Sequence, residues 1–191
     1  MAAEPGARFT SAVSLACHDL RTPLATIAGF AKTMIRADGL PEREERFLGM
    51  IDEAASQIGA LIDQLGLAAQ LEAGRYEPTL AGADTLDLAA SSGNERVSAE
   101  GAGVTIQTDV ELVRRSLAAL ALAALRHGQL DAVTWVVEGR ELTLAPVLPV
   151  AAVVVVVGSS PRDLGAIVAA MAIERLGGAV ALEGETARVR L

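Results

Sequence analysis

Residues 46–71 read RFLGMIDEAASQIGALIDQLGLAAQL, and this stretch decides the fold of the N-terminal part of the chain. Its apolar residues recur at alternating intervals of four and three, which places them along one side of an α-helix and is typical of coiled-coil-like packing. The positions that share this spacing are Phe47, Ile51, Ala54, Ile58, Leu61, Leu65 and Ala68. We predict a helix that begins at Pro41, where a proline followed by carboxylates suits a first turn, and that ends near Gly74.

A similar helix is predicted upstream, over residues 8–37, and the sequence Asp38-Gly39-Leu40-Pro41 ends it. Its apolar positions also follow steps of three and four residues. They are Phe9, Val13, Ala16, Leu20, Leu24, Ile27, Ala31 and Met34. Two such helices form an antiparallel hairpin, and an isolated hairpin would leave part of its apolar surface in water. Two copies could close a four-helix bundle, so we expect a homodimer, with coverage by the rest of the chain as the alternative.

The pattern changes after Pro78, where short β-like runs alternate with helical ones. This mixture predicts an α/β layer with helices on one face of a sheet. The predicted strands are Val104–Gln107, Val133–Glu138, Glu141–Leu144, Val150–Val157, Ala179–Leu182 and Thr186–Leu191, and the predicted helices are roughly 87–100, 109–127 and 162–176. The expected domains are a disordered N-terminus over residues 1–7, a helical hairpin over 8–78 and an α/β domain over 79–191.

The composition restricts the partners that this chain can have. It carries 24 acidic and 16 basic residues, for a formal net charge of −8, which argues against nucleic acid and against anionic membranes. Cys17 is the single cysteine, so we expect no intrachain disulfide and no cysteine-based metal site. The N-terminus lacks the pattern of a signal peptide, and the apolar run Val147–Val157 is far shorter than the about 20 residues that span a bilayer. We expect a cytoplasmic protein.

The stretch Cys17-His18-Asp19-Leu20-Arg21-Thr22-Pro23-Leu24 is the most informative about function. At about 100° per residue, His18 lies nearly opposite the predicted apolar face of its helix, with Thr22 about 40° and Asp19 about 100° away from it. An exposed neutral imidazole is a nucleophile near physiological pH. An adjacent carboxylate can orient the ring and accept its proton, and a hydroxyl one turn on can position water. The alternative is a solvated polar face that happens to contain a histidine.

The run from His18 to Leu24 resembles the phosphoacceptor motif of the dimeric bacterial histidine kinases, in which a histidine and an acidic residue precede Leu-Arg-Thr-Pro-Leu. The resemblance covers residues 8–78 and implies the dimeric antiparallel four-helix bundle of that family. It implies that His18 is the phosphorylated residue and that Asp19 is its acid/base partner. It also implies that Thr22 positions water for phosphatase activity toward a phosphorylated receiver domain.

The same resemblance implies that the partners are response-regulator receiver domains. Leu15 lies off the apolar face on the His18 side of the helix, and we expect it to supply an apolar contact to a receiver. Arg21 is the second expected partner-binding residue. We expect no intrinsic cofactor and no metal site in this chain, because the Mg²⁺ for the chemistry would come with the receiver.

In this family an ATP-binding α/β sandwich follows the bundle, and the second half of the chain resembles it in the order of its elements. Residues 109–127 resemble the helix that holds a magnesium-binding asparagine, but the asparagine positions here are Ala119 and Ala123. Mg²⁺ requires oxygen ligands, which alanine does not offer. We expect no carboxylate or cysteine to lie near His127, so we expect it to be an ordinary residue at a helix end rather than a metal ligand.

Two further segments differ in how well they match the family. Residues 163–178 resemble its glycine-rich turn, the following helix and a Gly-Gly pair. The Asp-x-Gly-x-Gly segment for adenine, expected after a strand that ends near Val157, is replaced by residues 158–162, and the loop that covers the nucleotide is almost absent. We therefore predict a degenerate ATPase-like fold without ATP.

Three functions remain open on these residues. The first is a histidine phosphotransferase that shuttles phosphoryl groups between receiver aspartates and His18 in a two-component phosphorelay. The second is a non-catalytic pseudokinase scaffold that binds receivers, and the third is an ATP-dependent histidine kinase with an unusual nucleotide pocket. The motif around His18 beside a depleted nucleotide site favours the first, and ATP-dependent autokinase activity is not expected.

Overall fold

The structure, a computed structural model, describes residues 5–36, 40–155 and 163–191. The chain divides into two compact units, Met1–Arg75 and Tyr76–Leu191. The first unit is a hairpin of two long helices, α1 (Pro5–Ile35) and α2 (Glu42–Glu72), which confirms the predicted hairpin. Because α1 begins at Pro5, residues 5–7 of the expected disordered N-terminus are helical, whereas residues 1–4 and 37–39 lie outside the described parts of the chain.

The two helices of the hairpin pack on each other through mostly small side chains. Four of the six buried positions on α2 recur every seven residues, and they are Leu48, Ala55, Ile62 and Ala69. Facing positions on α1 include Cys17 and Ala31, which are exposed by only 1% and 3%. A Cβ atom added at Gly66 would lie 4.0 Å from the Cβ of Cys17. The small residues therefore let the two helices approach closely.

Most of the positions predicted from the apolar spacing form a different surface, which we call the outer face, although Ala31 of that set is buried in the contact just described. Eight large members of that predicted set are exposed by 40–53%: Leu20, Ile27, Met34, Phe47, Ile51, Ile58, Leu61 and Leu65. On α2 the buried positions are displaced by one residue from the predicted ones, so that Leu48 is buried where Phe47 was predicted. The sequence pattern thus identified a second apolar face rather than the contact between α1 and α2.

The second unit contains two sheets and four helices among its described residues. In chain order its elements are β1 (Leu80–Asp84), α3 (Thr85–Ala90), β2 (Val97–Gly103), β3 (Thr105–Asp109), α4 (Val110–Gly128), β4 (Val133–Gly139), β5 (Glu141–Ala145), α5 (Pro149–Val155), α6 (Leu164–Arg175), β6 (Ala179–Glu183) and β7 (Thr186–Arg190). β1 pairs with β3, and the larger sheet has the strand order β2-β4-β5-β7-β6. Only the β2–β4 pair in this sheet is parallel.

One hydrophobic core holds this unit together. Alternate residues of the central strands are fully buried, among them Trp135 and Val137 on β4 and Leu142 and Leu144 on β5. They belong to the same cluster as Leu120 of α4. The period-two burial of the strands, with helices on one face, confirms the predicted α/β layer.

Two predicted elements in this unit are wrong. The predicted strand Val150–Val157 is instead helix α5 over Pro149–Val155, and residues 156–157 lie outside the described residues. A short continuous apolar run has no period that distinguishes a buried strand from a buried helix, and Pro149 suits a first helical turn. The predicted helix 87–100 ends at Ala90 as α3, and residues 97–103 are strand β2, whose Gly101 has a φ of 116°.

β1 was not predicted at all. Its sequence LAGAD contains no β-branched or aromatic residue, so the propensity signal for a strand is weak.

Within the described parts of the chain, none of the helices combines the length and the apolar character needed to cross a bilayer.

Candidate functional site

His18 lies in the middle of α1 with its side chain largely in solvent. The side chains of His18 and Asp19 are exposed by 79% and 67%. Nδ1 of His18 lies 3.2 Å from Oδ1 of Asp19, so the carboxylate can hold a proton on Nδ1. Nε2 has no hydrogen-bond partner among the described residues. The site therefore presents one ring nitrogen to solvent and pairs the other with a carboxylate.

Thr22 and Pro23 follow His18 by about one helical turn. Thr22 is exposed, and its backbone carbonyl accepts a hydrogen bond from Oγ1 of Thr26 at 3.1 Å. Helix α1 continues through Pro23, although proline offers no N–H to the carbonyl of Asp19 one turn earlier. Thr22 is thus an exposed residue of α1, four positions after His18.

Arg21 forms an ion pair with Asp63 on the second helix. Its Nε and Nη2 atoms donate to Oδ1 of Asp63 at 3.1 and 2.7 Å. Both side chains are about half exposed, and such ion pairs contribute only about 0–1 kcal/mol. The guanidinium that was predicted to bind a partner is therefore held beside His18 by a contact that a competing anion can replace.

Leu15 and Cys17 lie on opposite sides of this part of α1. Leu15 is exposed by 63% on the flank of α1 that carries His18. Cys17 is buried between the helices of the hairpin, next to Gly66. Its role in this structure is therefore packing.

In the α/β unit, the positions compared with magnesium-binding asparagines lie in an apolar environment. Ala123 on α4 is fully buried in the core, and Ala119 packs against the same cluster. Ala151 of α5 belongs to this cluster as well. The described ranges contain no group of His, Cys, Asp and Glu side chains that could hold a metal ion.

Residues 158–162, which were compared with the family's adenine segment, lie outside the described residues. The strand predicted to precede them is helix α5. The proposed alignment of residues 158–162 with the adenine segment therefore loses its structural basis.

Asp163 forms a charge cluster that the sequence analysis did not find. Its Oδ2 accepts hydrogen bonds from Nη1 of Arg126 at 2.9 Å and lies 3.1 Å from Nε2 of His127. Its Oδ1 accepts the backbone N–H of Ala166 at 3.1 Å and caps α6. The expectation that His127 has no carboxylate near it is wrong, because α6 packs on α4 and brings Asp163 to it from 36 positions away along the chain.

Asp109 forms the second charged cluster of this unit. It caps α4 through Leu112 N–H, and its Oδ2 accepts from the hydroxyl of Tyr76 at 2.9 Å and from the N–H of Thr79 at 3.0 Å. Burial alone would raise the pKa of Asp109, but these hydrogen bonds together lower it below its ordinary value. Burial, together with the hydrogen bond to the carboxylate and its charge, raises the pKa of Tyr76 to about 12. The cluster fixes residues 76–79 to the start of α4.

Comparisons with known proteins find a family match for the hairpin that carries His18. Residues 10–74 match the His Kinase A (phospho-acceptor) domain. The sensor protein DivL of Caulobacter vibrioides is 32% identical over 102 residues, which cover 51% of this chain and 13% of DivL. The chain therefore spans only a small part of that relative.

Two solved structures share the fold of the whole chain. Full-length ShkA, in complex with AMPPNP, has a TM-score of 0.68 at 20% identity, with 94% of this chain and 44% of ShkA covered. The Acinetobacter baumannii histidine kinase AdeS has a TM-score of 0.55 at 17% identity, with 90% of this chain and 94% of the AdeS chain covered. At these identities the likeness concerns the fold.

The family match and the structural likeness cover different lengths of the chain. Residues 10–74 match the His Kinase A (phospho-acceptor) domain, and the chain shares its fold with the ShkA and AdeS chains. The resemblance inferred from His18 to Leu24 is thereby supported by the family match over residues 10–74, and the predicted fold is confirmed. The roles of His18, Asp19, Thr22, Leu15 and Arg21 stay predictions.

Proposed function

We propose that this chain is a histidine phosphotransferase, which moves phosphoryl groups between the aspartates of receiver domains and His18. The observation that carries the proposal is the accessible Nε2 of His18, with Nδ1 paired to Asp19 at 3.2 Å, inside a phospho-acceptor hairpin. Since its proposed partners are the receivers of a bacterial two-component system, which act inside the cell, the proposal places the chain in the bacterial cytoplasm.

The chemical step is a displacement at phosphorus. Nε2 of His18 attacks the phosphorus of a receiver aspartyl phosphate, the N–P bond forms, and the bond from phosphorus to the aspartyl oxygen breaks. The aspartate leaves as a carboxylate, and the reverse reaction delivers the group to a second receiver. The imidazole becomes positively charged as the N–P bond forms, and the carboxylate of Asp19 stabilises that charge through the Nδ1 proton.

Thr22 has a separate role in the proposal. Its hydroxyl lies about one turn from His18, where it can hold a water against a phosphorylated receiver but cannot replace the nucleophile. Hydrolysis of the phospho-receiver is therefore a side activity that depends on Thr22, whereas transfer to His18 does not depend on it.

The receiver binds along the exposed flank of α1. Leu15 supplies an apolar contact there, and Arg21 offers a guanidinium whose present partner, Asp63, is itself half exposed. The chain has a net charge of −8, so long-range attraction to an acidic receiver is weak and the contact rests on local packing. The receiver brings the Mg²⁺ that the transfer needs.

A homodimer is part of the same proposal. The outer face exposes large apolar side chains on both helices, including Ile27, Ile58 and Leu65. Contiguous apolar surface of this kind marks a protein interface, and a second copy of the hairpin offers a matching face for a four-helix bundle.

The competing function is ATP-dependent autophosphorylation, since ShkA was solved with AMPPNP, an ATP analogue. In this chain the packing around α4 argues against it. Ala123 is fully buried among apolar side chains and supplies no oxygen for Mg²⁺. ATP therefore has no metal-assisted site on this helix.

A labelling experiment with two phosphoryl donors tests the proposal. The protein is incubated separately with γ-labelled ATP plus Mg²⁺ and with a labelled phospho-receiver plus Mg²⁺. We expect label from the receiver and none from ATP. Label from ATP would establish the kinase function instead, and binding of receivers without any label would establish the scaffold.

A further inference from the structure

A cavity of about 230 Å³ in the α/β unit contains none of the residues that the proposed function uses. Its lining residues belong to β3, to the end of α6, to the turn before β5 and to the end of β7. Helix α6 has 12 residues, so at a rise of about 1.5 Å per residue its two ends lie about 18 Å apart. The cavity is at the end opposite to Asp163 and is therefore separate from the segment that was compared with the family's glycine-rich turn.

Two of the lining residues carry guanidinium groups without a partner. The side chains of Arg140 and Arg190 form no hydrogen bond and no ion pair with any described residue, and both residues are exposed. By contrast, Arg188 on the same strand as Arg190 is paired with Glu183 at 2.8 Å. The N–H of Leu191 donates to the carbonyl of Arg140 at 3.0 Å, so the backbones that carry the two unpaired arginines are adjacent. Two unpaired cations beside one cavity favour an anionic ligand.

The same cavity is lined by a buried residue with a free hydroxyl group. Thr108 on β3 is exposed by only 5%, and its side chain has no hydrogen-bond partner in the part of the chain that the structure describes. A buried hydroxyl without a partner costs free energy. An oxygen of a ligand in the cavity would accept this hydrogen bond.

The remaining wall is largely apolar. Ile173 is fully buried and Ile106 is exposed by 5%, so this wall suits the CH₂ groups of a ligand. The negative end of the α6 dipole would oppose an anion. Three of the last carbonyls of α6, however, accept N–H groups from residues 176–178, which weakens that opposition.

We infer that this cavity binds a short organic acid that carries a second, uncharged oxygen, such as a keto or hydroxy acid. Its carboxylate pairs with the exposed guanidinium groups of Arg140 and Arg190. Its aliphatic part contacts Ile106 and Ile173, and its second oxygen accepts the hydroxyl of Thr108. The volume is below the about 300–1,000 Å³ of usual ligand pockets, so it fits a small acid rather than a nucleotide.

A titration of the full chain with levulinate, a short keto acid, tests this inference through the backbone amide NMR signals of Thr108, Gly177 and Gly178. We expect saturable shifts with a dissociation constant of about 1 mM or below. Valerate has the same chain without the ketone oxygen and should bind about fivefold more weakly, the usual contribution of one hydrogen bond. Methyl levulinate has no charge and should bind at least about tenfold more weakly, since hydrogen bonds to charged groups contribute more.

Substitutions of the arginines test the same contacts from the protein side. Arg140→Gln and Arg190→Gln should each weaken levulinate binding by about tenfold. Both residues are exposed, so the fold is retained, and the fluorescence of Trp135 in urea verifies this. Arg188→Gln is the matched control, because Arg188 is exposed on the same strand but does not line the cavity, and it should keep the affinity of the wild type.

Thr108→Val replaces the hydroxyl by a methyl group and should remove the preference for levulinate over valerate. If this variant unfolds, the comparison of the two acids on the wild type measures the same hydrogen bond. The absence of saturable shifts at about 10 mM levulinate, tenfold above the expected constant, would overturn the inference. Inorganic phosphate that binds as tightly as levulinate, or an equal loss of affinity in Arg188→Gln, would also overturn it. Phosphotransfer at His18 requires none of these residues, so failure here leaves the proposed function standing.

Discussion

Ile58 and Leu65 in the hairpin are exposed by 49% and 40%, whereas Leu120 and Leu142 in the α/β unit are fully buried. The α/β unit thus buries most of its large aliphatic side chains in one core within the chain. The hairpin buries mainly small residues between its own helices, together with Leu48 and Ile62, and leaves most of its large apolar residues exposed. The difference indicates that the α/β unit is a complete folding unit and that the hairpin needs a second surface.

The largest expected effect is on the stability of the dimer that the outer face is proposed to form. Ile58→Asp places a charge in the outer face and should cost several kcal/mol of dimer stability, because a carboxylate buried without a partner is expensive. Light scattering should show a dimer for the wild type and a monomer or unfolded hairpin for the variant. Ser56→Asp adds the same charge to an exposed position of α2 outside the outer face and should keep the dimer. A wild-type monomer across micromolar concentrations would refute the bundle.

The second effect concerns chemistry on the hairpin. Asp19→Asn should slow transfer to His18 by about 10²- to 10⁴-fold, the usual contribution of general acid–base assistance. Both side chains are largely exposed, so the circular dichroism and melting temperature should stay unchanged. Single-turnover transfer from a phospho-receiver measures the rate. A variant as fast as the wild type would remove Asp19 from the mechanism.

A third prediction belongs to the α/β unit and is independent of the dimer. Tyr76→Phe should lower the unfolding free energy of this unit by about 1.5–3 kcal/mol, the usual contribution of a hydrogen bond to a charged group. Trp135 is the single tryptophan and is fully buried, so its fluorescence in urea reports the unfolding of this unit. If the loss in unfolding free energy changed with protein concentration, the α/β unit would not unfold independently of the dimer, which would contradict the prediction.

The same residue gives this unit a characteristic dependence on pH. The pKa of Tyr76 is raised from 10.0 to about 12, so its contribution is complete below pH 10 and is lost as the pH rises toward about 12. The pKa of Asp109 is lowered from 3.8, so its contribution is present above that pH and is lost as the pH falls below it. Tyr76 is the single tyrosine, and phenolate absorbance therefore measures its ionisation directly. An ordinary pKa of 10 would contradict the hydrogen bond.

The smallest expected effect concerns receiver docking on the hairpin. Leu15→Glu should slow transfer by about tenfold, equivalent to about 1.4 kcal/mol, and should keep the dimer intact because Leu15 lies off the outer face. Thr33→Glu is the matched control, since Thr33 is exposed on the same flank of α1 but lies five turns away from Leu15. Equal rates for the two variants would remove Leu15 from the docking surface.

The sequence predicted the hairpin better than the α/β unit, for physical reasons. Periodicity over about 30 residues specified both long helices and identified Ile58 and Leu65 as one face, but it could not tell which of two adjacent apolar faces packs within the chain. The apolar run that forms α5 has no periodicity that would distinguish a helix from a strand. The strand β2 contains Gly101 and Gly103, which have a low propensity for strands. It is held by parallel pairing with β4, a long-range contact that the local sequence does not indicate.

The contacts at the candidate sites also differ in how well the sequence could predict them. His18 and Asp19 are neighbours in the sequence, so their pairing could be anticipated from a local motif. The carboxylate of Asp163 meets His127 only because α6 packs on α4, so no spacing in the sequence revealed that contact. A helix cap at Asp163 is a local signal, whereas its two partners on α4 depend on the tertiary fold.

The central claim is that His18 carries a phosphoryl group from one receiver to another. The direct measurement incubates a labelled phospho-receiver, this protein and an unlabelled second receiver, and follows the label with wild type and with His18→Ala. We predict an acid-labile, base-stable label on the wild type and its passage to the second receiver, with neither in His18→Ala, whose exposed position leaves the fold unchanged. Transfer that persists in His18→Ala, or a wild type that carries no label with any receiver, would contradict the account.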